Sequence, residues 1–475
     1  MLRPRPWPLA LLVLSLSACA HRAAVAPPPE PATGPDADLR EGTAALQRQD
    51  AAAAARHLEA CVAAAPERAD CRWELGWAYQ LLGRGEDVVA QWSEVKRLAP
   101  AHPEVDAQLA QARAQQERAA ALAAAATARK PPPPGARFRL RAVGDVMLGS
   151  DFPDPVKGLP PEDGATLLAG VRPLLADADL TFVNLEGPLC DGGETKKCRK
   201  GGNCYAFRSP TRYGRYLQEA GVDLASTANN HAGDFGDECR RQTEATLDAL
   251  GIRWSGAPGS VASTTVNGIL VGMVAFHTSP LVNHLNNLEA AEALVRAAAA
   301  AHDVVVVSFH GGAEGAGALH VPHGPELFFG EDRGDLRAFT HRMVEAGADL
   351  VVGHGPHVVR GLEFHQGKLI AYSLGNFATY GQFNLRGPQG LGAILDVTLD
   401  GTGAFVEGRV LPTKQEGRGV PLPDPEGQVL GLLRTLSQED FPGTAARVDP
   451  EGRLAPPAPP APAASRAAWK NAATL

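Results

Sequence analysis

Apolar and polar positions divide this chain into two regimes. From Phe138 onward, short runs in which nearly every residue is apolar alternate with longer stretches of helical period. Runs such as DLVV at 349–352 and KLIAYSL at 368–374 carry no polar alternation, which is the pattern of strands buried on both faces. They predict strands at Phe138–Val143, Leu180–Asn184, Val222–Ala225, Ile269–Phe276, Val304–Phe309, Leu350–Val352, Leu369–Ser373, Ala393–Leu399 and Phe405–Leu411. Helices are expected between them, near 163–177, 210–220, 237–250, 286–301 and 335–347. Such alternation predicts an α/β domain whose central strands are covered on both sides, with antiparallel strands at its end.

Before this region the pattern is helical and repeats. Gly42 recurs as Gly76 and Pro66 as Pro100, each 34 residues apart. That is the period of tetratricopeptide repeats, in which a small residue sits at the tight crossing of two helices and proline marks the exit. Residues 37–128 are therefore expected to form a small all-α repeat module, a candidate surface for a protein partner. A plain helical hairpin is the other reading. Residues 129–136, containing four consecutive prolines, make a stiff linker. The α/β domain is expected over 137–412, followed by an extension over 413–475 that is largely disordered after 442.

The extreme N-terminus changes the expected location. Arg3 and Arg5 precede a short apolar run that ends Leu16-Ser17-Ala18-Cys19, too short to span a bilayer. This resembles a bacterial lipoprotein signal (1–19) with a lipobox, and implies lipidation of Cys19 and a Pro/Ala-rich tether over 20–36. The expected location is the cell envelope, lipid-anchored, at the outer membrane facing the periplasm or the cell surface. Six cysteines remain, Cys61, Cys71, Cys190, Cys198, Cys204 and Cys239, an even number that suits disulfides in an exported protein. Cys61 and Cys71 are placed to staple adjacent helices. With 45 basic against 53 acidic residues, the chain is not a nucleic-acid binder by composition.

The chemistry lies where strands end. In open α/β sheets functional groups gather beyond the carboxyl ends of strands. Here five such ends carry Asp145; Asn184 and Glu186; Asn230, His231 and Asp234; His310 and Glu314; and His354 and His357. Each has a bland alternative, such as a turn cap or a satisfied core histidine, but their recurrence points to one site. Mixed imidazole, amide and carboxylate ligands suit Mn, Fe or Zn better than Mg or Ca. One or two divalent ions are expected, activating water or polarising a phosphoryl or carbonyl oxygen. Neither a GxSxG elbow nor a Walker loop is present.

The series GDVMLGS, NLEGPL, TANNHAGDFG, FHGGAE, GHGPHVVRG and YSLGNF resembles the CapA family of bacterial poly-γ-glutamate capsule synthesis proteins, within the calcineurin-like metallophosphatase superfamily. The resemblance implies a two-sheet sandwich flanked by helices. It implies metal ligation by Asp145, Glu186, Asn230, His310 and His354, with His357 a further candidate. His231 would contact substrate or protonate its leaving group, with Asp234 and Glu314 as accompanying catalytic candidates. Met147 stands where phosphatases carry a histidine, so the Asp145 position is expected to bind metal more weakly than a principal position built from Glu186, Asn230, His310 and His354. The implied function is metal-assisted hydrolysis or transfer in the synthesis, processing or anchoring of an anionic extracellular polymer. The alternatives are a general metallophosphoesterase with a small phosphoester substrate and a non-catalytic scaffold of polymer export. The basic run Lys196-Lys197-Cys198-Arg199-Lys200 would guide a polyanion, or simply be a solvated loop.

Overall fold

The computed structural model describes residues 34–48, 50–195, 197, 205–381 and 383–458. The lipoprotein signal with Cys19, nearly all of the tether, most of the basic loop with Cys198 and Cys204, and residues 459–475 lie outside them.

Strands β1 (Arg137–Met147), β2 (Leu180–Leu185), β3 (Leu224–Ser226), β4 (Arg253–Ser255), β5 (Ala262–Val266), β6 (Ile269–His277) and β7 (Val304–His310) come first. After a small hairpin, β8 (Leu327–Phe328) and β9 (Glu331–Asp332), follow β10 (Leu350–His354), β11 (Leu362–His365), β12 (Lys368–Ala371) and β13 (Asn376–Thr379). The last five are β14 (Leu391–Asp400), β15 (Phe405–Glu416), β16 (Val420–Pro423), β17 (Arg447–Val448) and β18 (Arg453–Ala455). They build two large sheets, ordered β17-β18-β15-β14-β1-β2-β3-β4 and β11-β12-β10-β7-β6-β5, with β13 and β16 attached to β1 and β15. In the first sheet the parallel strands β1 to β4 run out to the β4 edge and the other half is antiparallel; in the second, parallel β6, β7, β10 and β12 are flanked by antiparallel pairs at both edges.

The apolar runs explain this layering. Along β7, Val304 and Val306 enter the core between the sheets, while Val305 and Val307 point outward against the helices Leu288–Ala301 and Leu336–Glu345. Leu140 and Ala142 of β1 face inward and Val143 outward in the same way. A strand sandwiched on both faces has no position where a polar residue is free of desolvation cost, so alternation disappears. The result is a two-sheet α/β sandwich flanked by helices.

Five helices precede it: α1 (Pro35–Gln47), α2 (Ala51–Ala64), α3 (Ala69–Leu81), α4 (Gly85–Leu98) and α5 (Val105–Ala128). The recurring glycines sit where paired helices touch. A Cβ on Gly42 would lie 2.5 Å from Leu58 Cγ, and one on Gly76 would lie 2.0 Å from Trp92 Nε1. A disulfide joins Cys61 of α2 to Cys71 of α3, and a second joins Cys190 to Cys239 beside the site. The module rests on the sandwich. Arg129 donates to the carbonyls of Ala299 and His302 at 3.2 and 2.6 Å, and Arg118 to that of Pro258 at 3.1 Å.

Two expectations are corrected. The helix near 163–177 is broken into a 3₁₀ turn, Pro161–Gly164, and a short helix, Arg172–Ala176. Glu162 and Asp163 adopt left-handed φ values of 54° and 53°, and Pro173 restarts the helix at its first turn. Nor does the domain stop at 412, and ordered elements continue past 442 as far as Arg453–Ala455. Strand β15 runs on to Glu416, the helix Gln428–Asp440 packs beneath it, and β18 pairs with it at Gly408 and Arg409. Val429, Leu433, Ala446, Val448 and Leu454 fill the core between the sheets, and that burial outweighs the Pro-rich composition nearby.

Candidate metal centre

Register brings the predicted residues together. Asp145 on β1 lies opposite Asn184 on β2, and His310 on β7 lies between His277 on β6 and His354 on β10. All stand at the carboxyl ends of parallel strands, where backbone and side chains are free to face a common edge. Close approach of the backbones is required: a Cβ on Gly144 would meet the Gly375 carbonyl oxygen at 2.0 Å. Gly355, at φ 111°, makes the turn that separates His354 from His357.

The two carboxylates share one buried amide. Asn184 Nδ2 donates to Asp145 Oδ1 at 2.8 Å and to Glu186 Oε2 at 2.9 Å. His310 Nδ1 is 3.2 Å from Glu186 Oε2, and one ligand atom from each of Asp145, Glu186 and His310 falls within 4.8 Å of the others. The three side chains are fully buried. His354 donates from Nε2 to the Val143 carbonyl at 3.0 Å, which leaves Nδ1 as its bare nitrogen and ties the two sheets together. His277 Nδ1 donates to the His310 carbonyl at 2.7 Å.

Four buried atoms here have no hydrogen-bond partner among the described residues: Glu186 Oε1, Asn230 Oδ1, His310 Nε2 and His354 Nδ1. Each is a lone-pair donor, and each belongs to a residue of the expected principal position. A buried acceptor left unmatched costs about 1–3 kcal/mol, a deficit that a cation can relieve, and the ligand atoms close enough together to share one ion are those of Asp145, Glu186 and His310.

Electrostatics agree. Burial, reinforced by the charge of Asp145, pushes Glu186 well above the usual carboxylate range. Burial also presses on Asp145, but its hydrogen bond and charge contact with His357 prevail, and it stays below its ordinary value. Burial lowers His310 and His354, holding both imidazoles in the neutral, ligating form.

The remaining residues take different places. His357 Nδ1 donates to Asp145 Oδ2 at 2.9 Å and to Asn376 Oδ1 at 3.1 Å. Burial opposes its charge, yet the Asp145 bond and the nearby carboxylates push it up to about 9, so it stands here as a cation beside Asp145 rather than as a bare ligand. His231 hangs on Asp234, Nδ1 to Oδ2 at 2.7 Å, and turns Nε2 toward Glu186 Oε1 at 3.7 Å. Asp234 also accepts from the Phe207 amide at 2.8 Å and pairs with Lys197, so it positions His231. Glu314 is paired with Arg333 at 2.9 Å and reaches His357 Nε2 only at 4.0 Å. Lys197, the described member of the basic run, is anchored to Asp234 and to the Asn230 carbonyl rather than free in solvent.

The sequence places Asn184 and Asn230 at strand ends but does not show the holding role of the amides. Asn184, Asn229 and Asn376 are buried and hold the ligand residues, and their visible signals are the N-L-E and N-N-H triplets and the YSLGNF motif. Beside the centre opens a cavity of about 710 Å³, lined by Asn229, Asn230, His277, Lys197 and Arg240 and, from the helical module, Arg48.

This arrangement, carboxylates and imidazoles converging from both sheets of a sandwich, accompanies a family match. The model for "Bacterial capsule synthesis protein PGA_cap" matches residues 139–380, half of the chain, and the chain belongs to that family. It is similar to the "PGA biosynthesis protein CapA" of Bacillus subtilis, 27% identical over 50% of this chain and 61% of that protein. It is also similar to the "Capsule biosynthesis protein CapA" of Bacillus anthracis, 26% identical over 51% of this chain and 59% of that one. The chain thus spans about three fifths of the length of these relatives. A purple acid phosphatase from yellow lupin (Lupinus luteus) seeds overlays on 63% of this chain and 56% of its own, at 10% identity and a TM-score of 0.30, a likeness too slight for argument. No helix among the described residues is long and apolar enough to cross a membrane.

Proposed function

We propose that this protein is a metal-dependent enzyme of the cell envelope that acts on an anionic extracellular polymer, poly-γ-glutamate or a capsule component, by hydrolysis or transfer. The observation that carries this reading is the set of four unmatched lone pairs on Glu186, Asn230, His310 and His354. These residues would hold the principal ion, and Asp145 a weaker neighbour. A divalent Mn, Fe or Zn ion there would supply Lewis acidity and a water of lowered pKa. The chain's own groups do the rest. Asn184 fixes the two carboxylates against each other. Burial, against the pull of Asp234, holds His231 below the ordinary imidazole value. Its bare Nε2 therefore accepts a proton or a substrate hydrogen bond at the edge of the site, with the proton on Nδ1 directed to Asp234. The polymer would lie in the 710 Å³ cavity, where Arg48 is, among the described residues, the cation left to meet a carboxylate, since Arg240 is paired with Asp237 and Glu244, Lys197 with Asp234, and Glu331 and Asp332 line the same wall. Anchoring through Cys19 and recruitment of a protein partner by the helical module complete the proposal.

Elemental analysis of the purified protein and three variants tests it, beside assays of polyglutamate cleavage and aryl phosphate hydrolysis. His354→Ala should lose most of the metal, Asp145→Ala should keep the principal ion, and His231→Ala should keep metal but lose about 10²–10⁴-fold in rate. Undiminished metal in His354→Ala would sink the ligand set. Hydrolysis of aryl phosphate alone would favour a general phosphoesterase, and metal without activity on either substrate a scaffold.

A further inference from the structure

A second convergence of ligand groups lies away from this centre. His341, on the helix Leu336–Glu345, and Glu363 and His365, on β11, each bring one ligand atom within 4.8 Å of the others. The two imidazoles are stacked, their centroids 3.9 Å apart and their planes 6° from parallel. His341 Nε2 is 2.9 Å from Glu363 Oε2, and His365 Nε2 is 3.3 Å from Glu345 Oε1. Three ligand groups, two nitrogen and one oxygen, therefore meet at one corner, with Glu345 beside His365.

The location separates it from the proposed active centre. His365 pairs with Lys368 across the β11–β12 turn, and Leu369 of β12 pairs with Leu350 at the start of β10. His354 stands at the other end of β10, so the two clusters occupy opposite edges of the sheet. Nothing in the proposed chemistry uses this corner.

Glu363 is held as metal-ligating carboxylates are held. Tyr372 Oη donates to its Oε2 at 2.8 Å and Thr444 Oγ1 to its Oε1 at 2.7 Å, and Thr340 in turn contacts Tyr372 at 3.0 Å. The carboxylate is buried, whereas His341 and His365 expose 33% and 19% of their side chains, which gives an ion a path of entry. Helix and strand fix the ligand backbones, so binding requires the side chains alone to move: one of the stacked rings must turn out of parallel for both nitrogens to aim at one ion, and Glu345 must swing in.

We propose that His341, Glu363 and His365, with Glu345 at the rim, form a second divalent metal site of zinc type, which clips the helix Leu336–Glu345 to the edge strand β11 and, through Thr444, to the C-terminal segment. Two imidazoles and two carboxylates match the tetrahedral nitrogen and oxygen preference of Zn(II), and Co(II) reports the same geometry through its visible absorption. An ion held there would be structural, joining the helix, β11 and, through Thr444, the C-terminal segment.

The test uses the full chain carrying His354→Ala and His310→Ala, which silences the proposed active centre. Stripped of metal and titrated with Co(II), this protein should bind one equivalent with a tetrahedral absorption band, and Zn(II) should displace it. Adding His365→Gln should weaken Co(II) binding at least tenfold and abolish the metal-dependent rise in melting temperature. Absence of that equivalent from the doubly substituted protein overturns the proposal, whether or not the His365 variant folds. Co(II) binding that is equally tight with and without His365→Gln overturns it as well.

Discussion

Replacing Asn184 by leucine removes the amide that two acidic side chains share while nearly conserving volume. Its effect can be worked from the contacts. Asp145 is ionised, since its bond to His357 overrides its burial, and a hydrogen bond to a charged acceptor contributes about 1.5–3 kcal/mol. Burial and the charge of Asp145 raise Glu186 well above its ordinary value, and the bond it accepts contributes at least as much as an ordinary hydrogen bond, about 0.5–1.5 kcal/mol. Asn184→Leu should therefore destabilise the metal-free protein by about 2–4.5 kcal/mol. A bound cation offsets charge on both carboxylates, so the deficit should shrink when the protein is saturated with Mn(II) or Zn(II). Urea unfolding of both variants, metal-free and loaded, measures the two differences. A metal-free deficit below about 0.5 kcal/mol, or one that loading leaves unchanged, would refute the assignment of Asn184 as the bridge between the carboxylates.

Three further expectations concern other parts of the chain. Gly76→Ala places a methyl group 2.0 Å from the Trp92 indole, whose Nε1 donates to the Trp73 carbonyl, and should destabilise the helical module by about 1–3 kcal/mol, read as an early change in tryptophan fluorescence on heating. His357, pushed up to about 9 from an ordinary value near 6.5, binds its proton more tightly folded than unfolded. That contribution is complete below about pH 6.5 and lost by about pH 9, so metal-free protein should weaken across this window by up to about 3 kcal/mol, and His357→Gln should flatten the profile. Cys19→Ser should move the protein from the membrane to the soluble envelope fraction or leave it unprocessed; a wild type that fractionates as soluble, with its N-terminus intact, would contradict the anchor.

What could be read from the residues follows from how far each signal reaches along the chain. Strands such as Val304–His310 were legible because both faces are buried and the apolar run declares it locally. The 34-residue spacing of Gly42 and Gly76 pointed to tight helix crossings, and those glycines do face Leu58 and Trp92. The C-terminal strands are not legible because β17 and β18 are two and three residues long and gain their order from pairing, β18 with β15 and β17 with β18, not from their own pattern. The holding role of the amides is not legible for a related reason. Asn184 looks like any polar strand end until the register of β1 and β2 sets it between Asp145 and Glu186. The role of His357 likewise depends on a partner 212 residues away.

The centre is also where the two sheets are joined. Asp145 and Asn184 come from one sheet, His310 and His354 from the other, and the His354–Val143 and His357–Asp145 bonds cross between them. At the middle of the sandwich the sheets are held by Val, Leu and Phe packing, which is insensitive to metal and pH. At this edge the contacts are carboxylate, amide and imidazole, with four unmatched acceptors among them. Polar groups so placed are stable only when every member is satisfied. An ion bound here would therefore both complete the chemistry and close the open edge of the fold, so metal removal should loosen this edge, seen as faster amide exchange at the ends of β1, β7 and β10, while the interior of the same strands stays protected.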